Sequence, residues 1–303
     1  MRKRLLVIFI FLLPLCIHAQ QDPMYTQYMF NGLVLNPAYA GSHGNLSATA
    51  LYRNQWTGID GAPVTQTFSL HSPLNNDKVG LGINIVNDKI GITNTLNIHG
   101  SYSYMIQTGA GKLALGIQAG MLQYKSFFSK ISFSDPINEP VQGDNINLIK
   151  ISFGGGLYYF SDKFYVGLSS PRLSSFKTIK DTLHNPIFAS HFFLSSGMIF
   201  NLNSILKLKP SLLVKAVQGP LPQFDINTTL YFKDFIGLGL SYRYMESVAA
   251  MLQLAFAKNY KIGYSYDYGI SGGLQKYNKG SHEIMFQVEF SLKKDKVISP
   301  RYF

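Results

Sequence analysis

From about residue 45 onward, apolar residues alternate with polar or small ones at period two, the signature of β-strands that present each face to a different environment. Val79, Leu81, Ile83 and Ile85 alternate with Gly80, Gly82 and Asn84. Ile98, Tyr102 and Tyr104 oppose Asn97, His99, Ser101 and Ser103. The rhythm returns through Leu113, Leu115 and Ile117, through Phe164, Val166 and Leu168, through Ile236, Leu238 and Leu240, and ends at Ile284, Phe286, Val288 and Phe290. With the weaker segments 45–54 and 64–71, this predicts about fourteen strands. Many run about ten residues, the length a tilted strand needs to cross a bilayer, whereas strands in soluble domains centre on about five or six.

The second face is mostly Gly, Ser, Thr, Asn and Gln, with a few charges at Arg53, Lys215, Asp225, Arg243, Asp267, Glu283 and Glu289. Such a face suits a polar lumen, and the apolar face then meets lipid. The connections fall into two sets. Residues 72–77, 108–111, 161–162, 201–204, 233–234 and 258–260 are short, while 125–148, 171–186, 218–223 and 269–279 are longer. Short periplasmic turns and long outer loops characterise outer-membrane barrels. The expected fold is therefore all-β: a transmembrane antiparallel up-and-down β-barrel of about 14 strands over residues 45–292. Aromatics near segment ends, including Tyr102, Tyr104, Tyr158 to Phe160, Tyr242 and Tyr264 to Tyr268, read as interfacial girdles.

Composition narrows the class. The chain is 46% hydrophobic and only 14% charged, against about 25% in ordinary soluble proteins, which excludes disorder. After the first fifteen residues no apolar run approaches the roughly 18 needed for a spanning helix. Arg2, Lys3 and Arg4, the apolar run Leu5 to Leu15 and Ile17-His18-Ala19 read as an export signal, residues 1–19, cut after Ala19. Leu15, a large residue, precedes Cys16 and argues against a lipoprotein signal. The mature chain then has no cysteine, hence no disulfide and no thiolate metal site. Removing the three leading cations lowers the formal charge from +11 to +8, with 24 basic against 16 acidic residues. The basic residues are scattered, so no nucleic-acid partner is expected.

Two segments stand outside the strand rhythm. Residues 20–44 begin with Asp22-Pro23, a helix start, and reach the stop Asn36-Pro37. They predict a short helix from about Met24 to Leu35, either tucked into the periplasmic mouth as a hatch or packed outside the turns as a strap. Residues 293–303 form a basic tail with Lys293, Lys294 and Arg301, expected in the periplasm, either solvated or docked on a partner or on peptidoglycan.

Candidate chemistry is sparse. His99 and Ser101, with Asn97, share one strand face, as a hydrolase nucleophile and its base would. That face is the polar one and points to the lumen, away from lipid substrate. Gly154-Gly155-Gly156 lies within a strand and makes room in the lumen rather than cradling phosphate. The histidines are too dispersed for metal ligation, and Asp135, Glu139 and Asp144 lack calcium-loop spacing. No catalytic residue, cofactor or metal is expected.

Several motifs together resemble a known family. Gln21-Asp22-Pro23, Gln27-Tyr28-Met29-Phe30-Asn31, Leu35-Asn36-Pro37-Ala38-Tyr39-Ala40-Gly41, Tyr52-Arg53-Asn54-Gln55-Trp56 and Asp60-Gly61-Ala62-Pro63 resemble the PorP/SprF-like outer-membrane proteins of the type IX secretion system of Bacteroidota. Lys209-Pro210-Ser211, Gly263-Tyr264-Ser265-Tyr266-Asp267-Tyr268 and Gly280-Ser281-His282-Glu283-Ile284 extend the resemblance along the mature chain. It implies a barrel without enzymatic activity, in the outer membrane, partnering a large adhesin-like cargo with a C-terminal secretion domain, and serving gliding motility or a periplasmic ring lipoprotein. The candidate partner-binding residues are Tyr28, Asn31, Asn36, Pro37, Tyr39, Arg53 and Trp56, with Lys293, Lys294 and Arg301 of the tail. The alternatives are a passive channel or hydrophobic-compound transporter gated by the hatch and, more remotely, a lipid hydrolase.

Overall fold

The computed structural model describes residues 24–74, 77–130, 145–173, 189–217, 221–257, 259–271 and 273–291. The export signal, Asp135, Glu139, Asp144 and the tail residues Lys293, Lys294 and Arg301 lie outside them, as does most of the two longest loops.

The period-two segments form β1 (Leu46–Asn54), β2 (Val64–Leu74), β3 (Val79–Ile90), β4 (Thr93–Thr108), β5 (Gly111–Ser126), β6 (Ile146–Ser161), β7 (Phe164–Ser170), β8 (His191–Met198), β9 (Phe200–Asn201), β10 (Leu206–Val217), β11 (Gln223–Phe232), β12 (Ile236–Arg243), β13 (Ser247–Phe256), β14 (Tyr260–Gly269) and β15 (Ser281–Phe290). Each pairs antiparallel with its neighbours, β1 with both β2 and β15, and β10 with β11, so the sheet closes on itself. β8 and β9 are two pieces of one wall position, both paired to β10. The ring therefore has the fourteen positions that the sequence rhythm predicts. Closure matters physically: backbone groups have no water partners in hydrocarbon, and a ring leaves no edge there.

Burial follows the alternation. In β15, Ser281, Glu283, Met285, Gln287 and Glu289 are buried while Ile284, Phe286 and Phe290 face out. Outward Leu81, Ile117, Ile151 and Leu240 expose 45%, 65%, 65% and 70% of their surface, which marks the lipid-facing wall. The buried positions are not uniformly polar, since Leu51, Phe193, Leu213, Met251 and Met285 also point inward. Tyr158, expected at an interfacial girdle, is instead buried inside against Tyr39. The reason is what fills the lumen.

The segment Met24 to His43 runs inside the ring, and nearly all of it is buried. The expected helix from Met24 to Leu35 does not form. In its place are a 3₁₀ turn at Tyr28–Phe30, a four-residue helix at Gly32–Leu35 and a second 3₁₀ turn at Pro37–Tyr39. Asn31 breaks the run: its backbone is non-helical (φ −129°, ψ 54°), and its Nδ2 donates to Thr67 Oγ1 on β2. Bonds to the wall thus replace bonds along a helix. Nor is the segment confined to one mouth. Thr26 sits where β1, β14 and β15 meet the long connections, and Gly41 and His43 lie near the short-turn end, feeding β1.

Candidate functional site in the plugged lumen

The plug is seated in three tiers. At the long-loop end, Arg53 and Glu283 face each other in the β1–β15 register, and Asp267 lies across on β14. Arg53 Nη1 donates to Glu283 Oε2 at 3.0 Å and Nη2 to Asp267 Oδ2 at 2.6 Å, with all three side chains buried. The plug completes this cluster. The backbone N–H groups of Thr26 and Gln27 donate to Glu283 at 3.0 and 2.8 Å, and Thr26 Oγ1 donates to Asp267 at 2.6 Å while accepting from Arg53 at 3.0 Å. A second buried pair lies beside it, with Arg243 Nε donating to both oxygens of Asp225 at 3.1 and 3.0 Å. One strand turn along β11, Asn227 Nδ2 donates to the Tyr28 phenol at 2.9 Å. Burial pushes the Tyr28 phenol well above its usual pKa, so it stays protonated.

The middle tier is apolar and tightly fitted. Met24, Tyr25, Met29, Phe30 and Leu35 pack against inward Leu51, Phe193, Leu213, Met251 and Met285. The Lys209 ammonium stands 5.7 Å from the Phe30 ring and 5.9 Å from that of Tyr165. Asn36 serves both plug and wall: its Oδ1 caps the second 3₁₀ turn by accepting from Ala38 N–H at 2.9 Å, and its Nδ2 donates to Leu157 C=O at 2.9 Å. Wall hydroxyls reach in, Ser169 Oγ donating to Leu35 C=O at 2.7 Å and Ser103 Oγ to Ala40 C=O at 2.6 Å. Missing side chains matter as much. A Cβ on Gly116 would fall on the Ala38 backbone, on Gly80 on the Ala40 carbonyl, and on Gly156 on the Asn36 amide. Of the glycine run, Gly156 makes room for the plug, and Gly154 makes room for the Pro171 carbonyl after β7.

At the short-turn end, the Tyr39 phenol lies 2.6 Å from His43 Nε2, and His43 Nδ1 lies 3.3 Å from Glu289 Oε1. The Gly41 N–H donates to His71 Nδ1 at 3.1 Å. The Tyr39 ring meets His43, His71 and Tyr158 edge-on at 5.3, 5.4 and 5.3 Å. Burial first, and then the charge of Glu289, raise the Tyr39 phenol above its usual pKa and keep it protonated.

The lumen therefore gathers Tyr28, Asn31, Asn36, Pro37, Tyr39 and Arg53 into one seat, whereas Trp56, in the connection after β1 and 39% exposed, lies at its rim, lining a pocket with Arg53 and Asp267. The seat also uses residues the candidate set lacked: Thr26, Gln27, Asp267 and Glu283. Gln27, Asp267 and Glu283 stand within the family motifs, and the two acids show in the sequence as charges on the polar faces of β14 and β15, but their pairing with Arg53 depends on register. His99 and Ser101 do face the lumen; Ser101 Oγ donates to Gln118 Oε1 at 3.4 Å, and His99 lines a pocket of about 70 Å³ with Tyr25, Val34, Val86 and Phe193. Among the described residues, no group of three His, Cys, Asp or Glu side chains is placed to hold a metal ion.

A closed ring of strands, apolar outside and stoppered inside by its own N-terminal segment, defines an outer-membrane β-barrel of the plugged kind. The chain belongs to the family described as type IX secretion system membrane protein PorP/SprF, whose profile matches residues 17–288. No curated protein matches it by sequence. Among solved structures it is similar to the CymD monoaromatic hydrocarbon channel, at 12% identity and a TM-score of 0.50 over 89% of this chain and 94% of that one. It is also similar to Omp33 of Acinetobacter baumannii, at 7% identity and a TM-score of 0.47 over 81% and 97% of the two chains. At such identities the likeness is one of fold alone.

Proposed function

We propose that this barrel is a non-enzymatic partner of the type IX secretion system that supports export and surface attachment of a large adhesin-like cargo carrying a C-terminal secretion domain, and with it gliding motility. The observation that carries this reading is the plug. The family motifs from Gln27 to Gly41 fill the lumen, and the buried Arg53–Asp267–Glu283 cluster holds their leading end. A stoppered barrel suits a platform better than an open pore. In this reading Tyr28, Asn31, Asn36, Pro37, Tyr39 and Arg53 act on partners indirectly, by fixing the plug, and Trp56 contacts them directly. The outer loops 125–148 and 171–186 hold cargo, while Lys293, Lys294 and Arg301 reach a periplasmic ring lipoprotein or peptidoglycan after cleavage of the export signal at Ala19.

A second reading is a hydrophobic-compound channel gated by the same plug. It draws on the fold likeness to a monoaromatic hydrocarbon channel and on the pocket between Tyr25, Val34, Leu35, Val86 and Phe193. Affinity purification from detergent-solubilised outer membranes, read by mass spectrometry, separates the two. Recovery of a large adhesin or a ring lipoprotein is expected; their absence, together with ion conductance of the purified barrel in planar bilayers, would establish the channel instead. Lipid hydrolysis predicts that Ser101→Ala lowers phospholipid turnover, and the proposed function predicts no change.

A further inference from the structure

The short-turn end of the ring carries a collar of lysines. Residues directly opposite in an antiparallel pair share a face of the sheet, so cross-strand partners show which way each lysine points. Lys207 stands opposite buried Tyr231, Lys261 opposite buried Gln287, and Lys112 opposite Phe160, which packs on the plugged interior. Two ladders continue one step past their strands: Met105 N–H donates to Lys78 C=O at 2.7 Å and Ile199 N–H to Lys163 C=O at 2.8 Å, and Met105 and Ile199 both pack inside. All five lysines therefore line the lumen side of the rim, exposed at Lys78 and Lys163 and partly exposed at the other three. Lys209, the next inward position after Lys207, is buried.

The acids at this end answer only part of that charge. Lys207 Nζ meets Asp234 Oδ2 at 2.8 Å, and Lys261 Nζ meets Glu289 Oε1 at 3.4 Å, a carboxylate shared with His43. Asp77 and Asp162 lie in the turns beside Lys78 and Lys163. With Lys209 and the turn residue Lys233, seven cations stand against these four acids among the described residues. The chain's own continuation does not supply the missing anions, since residues 292–303 hold Lys293, Lys294, Lys296 and Arg301 against Asp295. Lipid headgroups meet the outward face, whereas the collar is on the inward one, and a second copy would bring charge of the same sign. Within the collar lies a recess of about 30 Å³ between Phe30, Tyr231, Asp234, Gln253, Lys261 and Met285. Asp234 is engaged by Lys207, but Gln253, 6% exposed, has no acceptor for its Nε2. One water takes roughly 10–15 Å³ of such space, so the recess has room for a single carboxylate, and an amide donor beside an ammonium suits that group.

We propose that the lysine collar docks an acidic face of a periplasmic protein, with one Asp or Glu side chain seated in the recess at Gln253 and Lys261. Ammonium groups fixed around a rigid ring favour a folded acidic face, whose carboxylates are already in place, over the sparse and flexible peptide carboxylates of peptidoglycan, which lose more freedom on binding. The proposal rests on the reading that a periplasmic partner meets this barrel, and it supplies that partner's chemistry.

The test measures binding of a fluorescent, helical, glutamate-rich peptide to the full-length barrel in micelles. Binding is expected at low salt, with none for the same peptide carrying glutamine in place of glutamate. Affinity falls roughly tenfold or more in the pair Lys112→Gln and Lys163→Gln, and about tenfold in Gln253→Leu, which changes no charge. The pair Lys125→Gln and Lys150→Gln, at the long-loop end, leaves it unchanged, and every variant keeps the heat-modifiable gel mobility of a folded barrel. In living cells, a benzophenone amino acid at Asp162, which leaves the lysines in place, is expected to crosslink to an acidic segment of a periplasmic protein. The proposal is overturned by binding indifferent to the collar pair or to Gln253→Leu, by equal loss in the long-loop pair, by peptidoglycan fragments that compete as well as the peptide, or by crosslinks to no acidic protein. If these results hold while affinity purification recovers no secretion component, the secretion reading fails and the collar's chemistry stands; recovery of a ring lipoprotein by a barrel whose collar is indifferent overturns the collar alone.

Discussion

Arg53 shows how one side chain carries disproportionate consequence. It is 1% exposed and shared between two carboxylates and the plug hydroxyl of Thr26. Removing one partner from a buried ionic cluster costs far more than replacing the whole cluster, because the remaining charges lose their counterion and regain no water. Arg53→Met is expected to cost roughly 3–5 kcal/mol, seen as a lower unfolding temperature in micelles and as faster chymotrypsin cleavage at Tyr25 and Tyr28. Combining it with Asp267→Asn and Glu283→Gln should restore most of the loss; a triple variant as unstable as the single one would refute the ionic account. Asn36→Ala removes a cap and a wall anchor together, and the expected cost is about 1–2 kcal/mol with the same protease readout. Arg53, Asp267 and Glu283 are all legible in the sequence as charges on a lumen face. Their union is not, because strand register decides which charge opposes which.

At the scale of elements, plug and wall were shaped for one another. The wall supplies glycine where the plug backbone comes closest, and the plug abandons helix where the wall offers hydrogen bonds. Two adjacent glycines separate this fit from general strand propensity. Gly156 faces the Asn36 amide, whereas a Cβ on Gly155 would meet nothing nearer than Gly116 O at 3.6 Å. Gly156→Val and Gly116→Val should therefore expel the plug, with protease sensitivity of the N-terminal segment and an intact barrel on gels, whereas Gly155→Val should leave the plug protected. Equal sensitivity in all three would show that the glycines act through strand formation alone. The expected helix from about Met24 to Leu35 is cut back to Gly32–Leu35 for an instructive reason: Asp22-Pro23 and Asn36-Pro37 are sound local start and stop signals, but they describe a free chain. Inside the lumen, Thr67 at Asn31 outcompetes helical continuation.

The whole molecule separates into a wall that closes by itself and a stopper that occupies it. The β10–β11 and β1–β15 pairings complete the ring without any plug residue. Deletion of residues 24–43 is therefore expected to leave a barrel that inserts and migrates heat-modifiably, with ion conductance in planar bilayers rising from near baseline to steps typical of an open pore. An unchanged baseline would show that other parts of the chain also close the lumen. The sequence by itself determined the strand count, the outward apolar face of most strands and the family, because these rest on local period and motif; the connections alternate less strictly than it suggests, since 91–92 and 244–246 are short turns at the long-loop end. Only the tertiary structure decided that the N-terminal segment runs through the lumen, that Tyr158 faces inward, and that Arg53 joins Asp267 and Glu283. All of these depend on register and on contacts between residues far apart in the chain, and period two carries no information about which strand a residue will face.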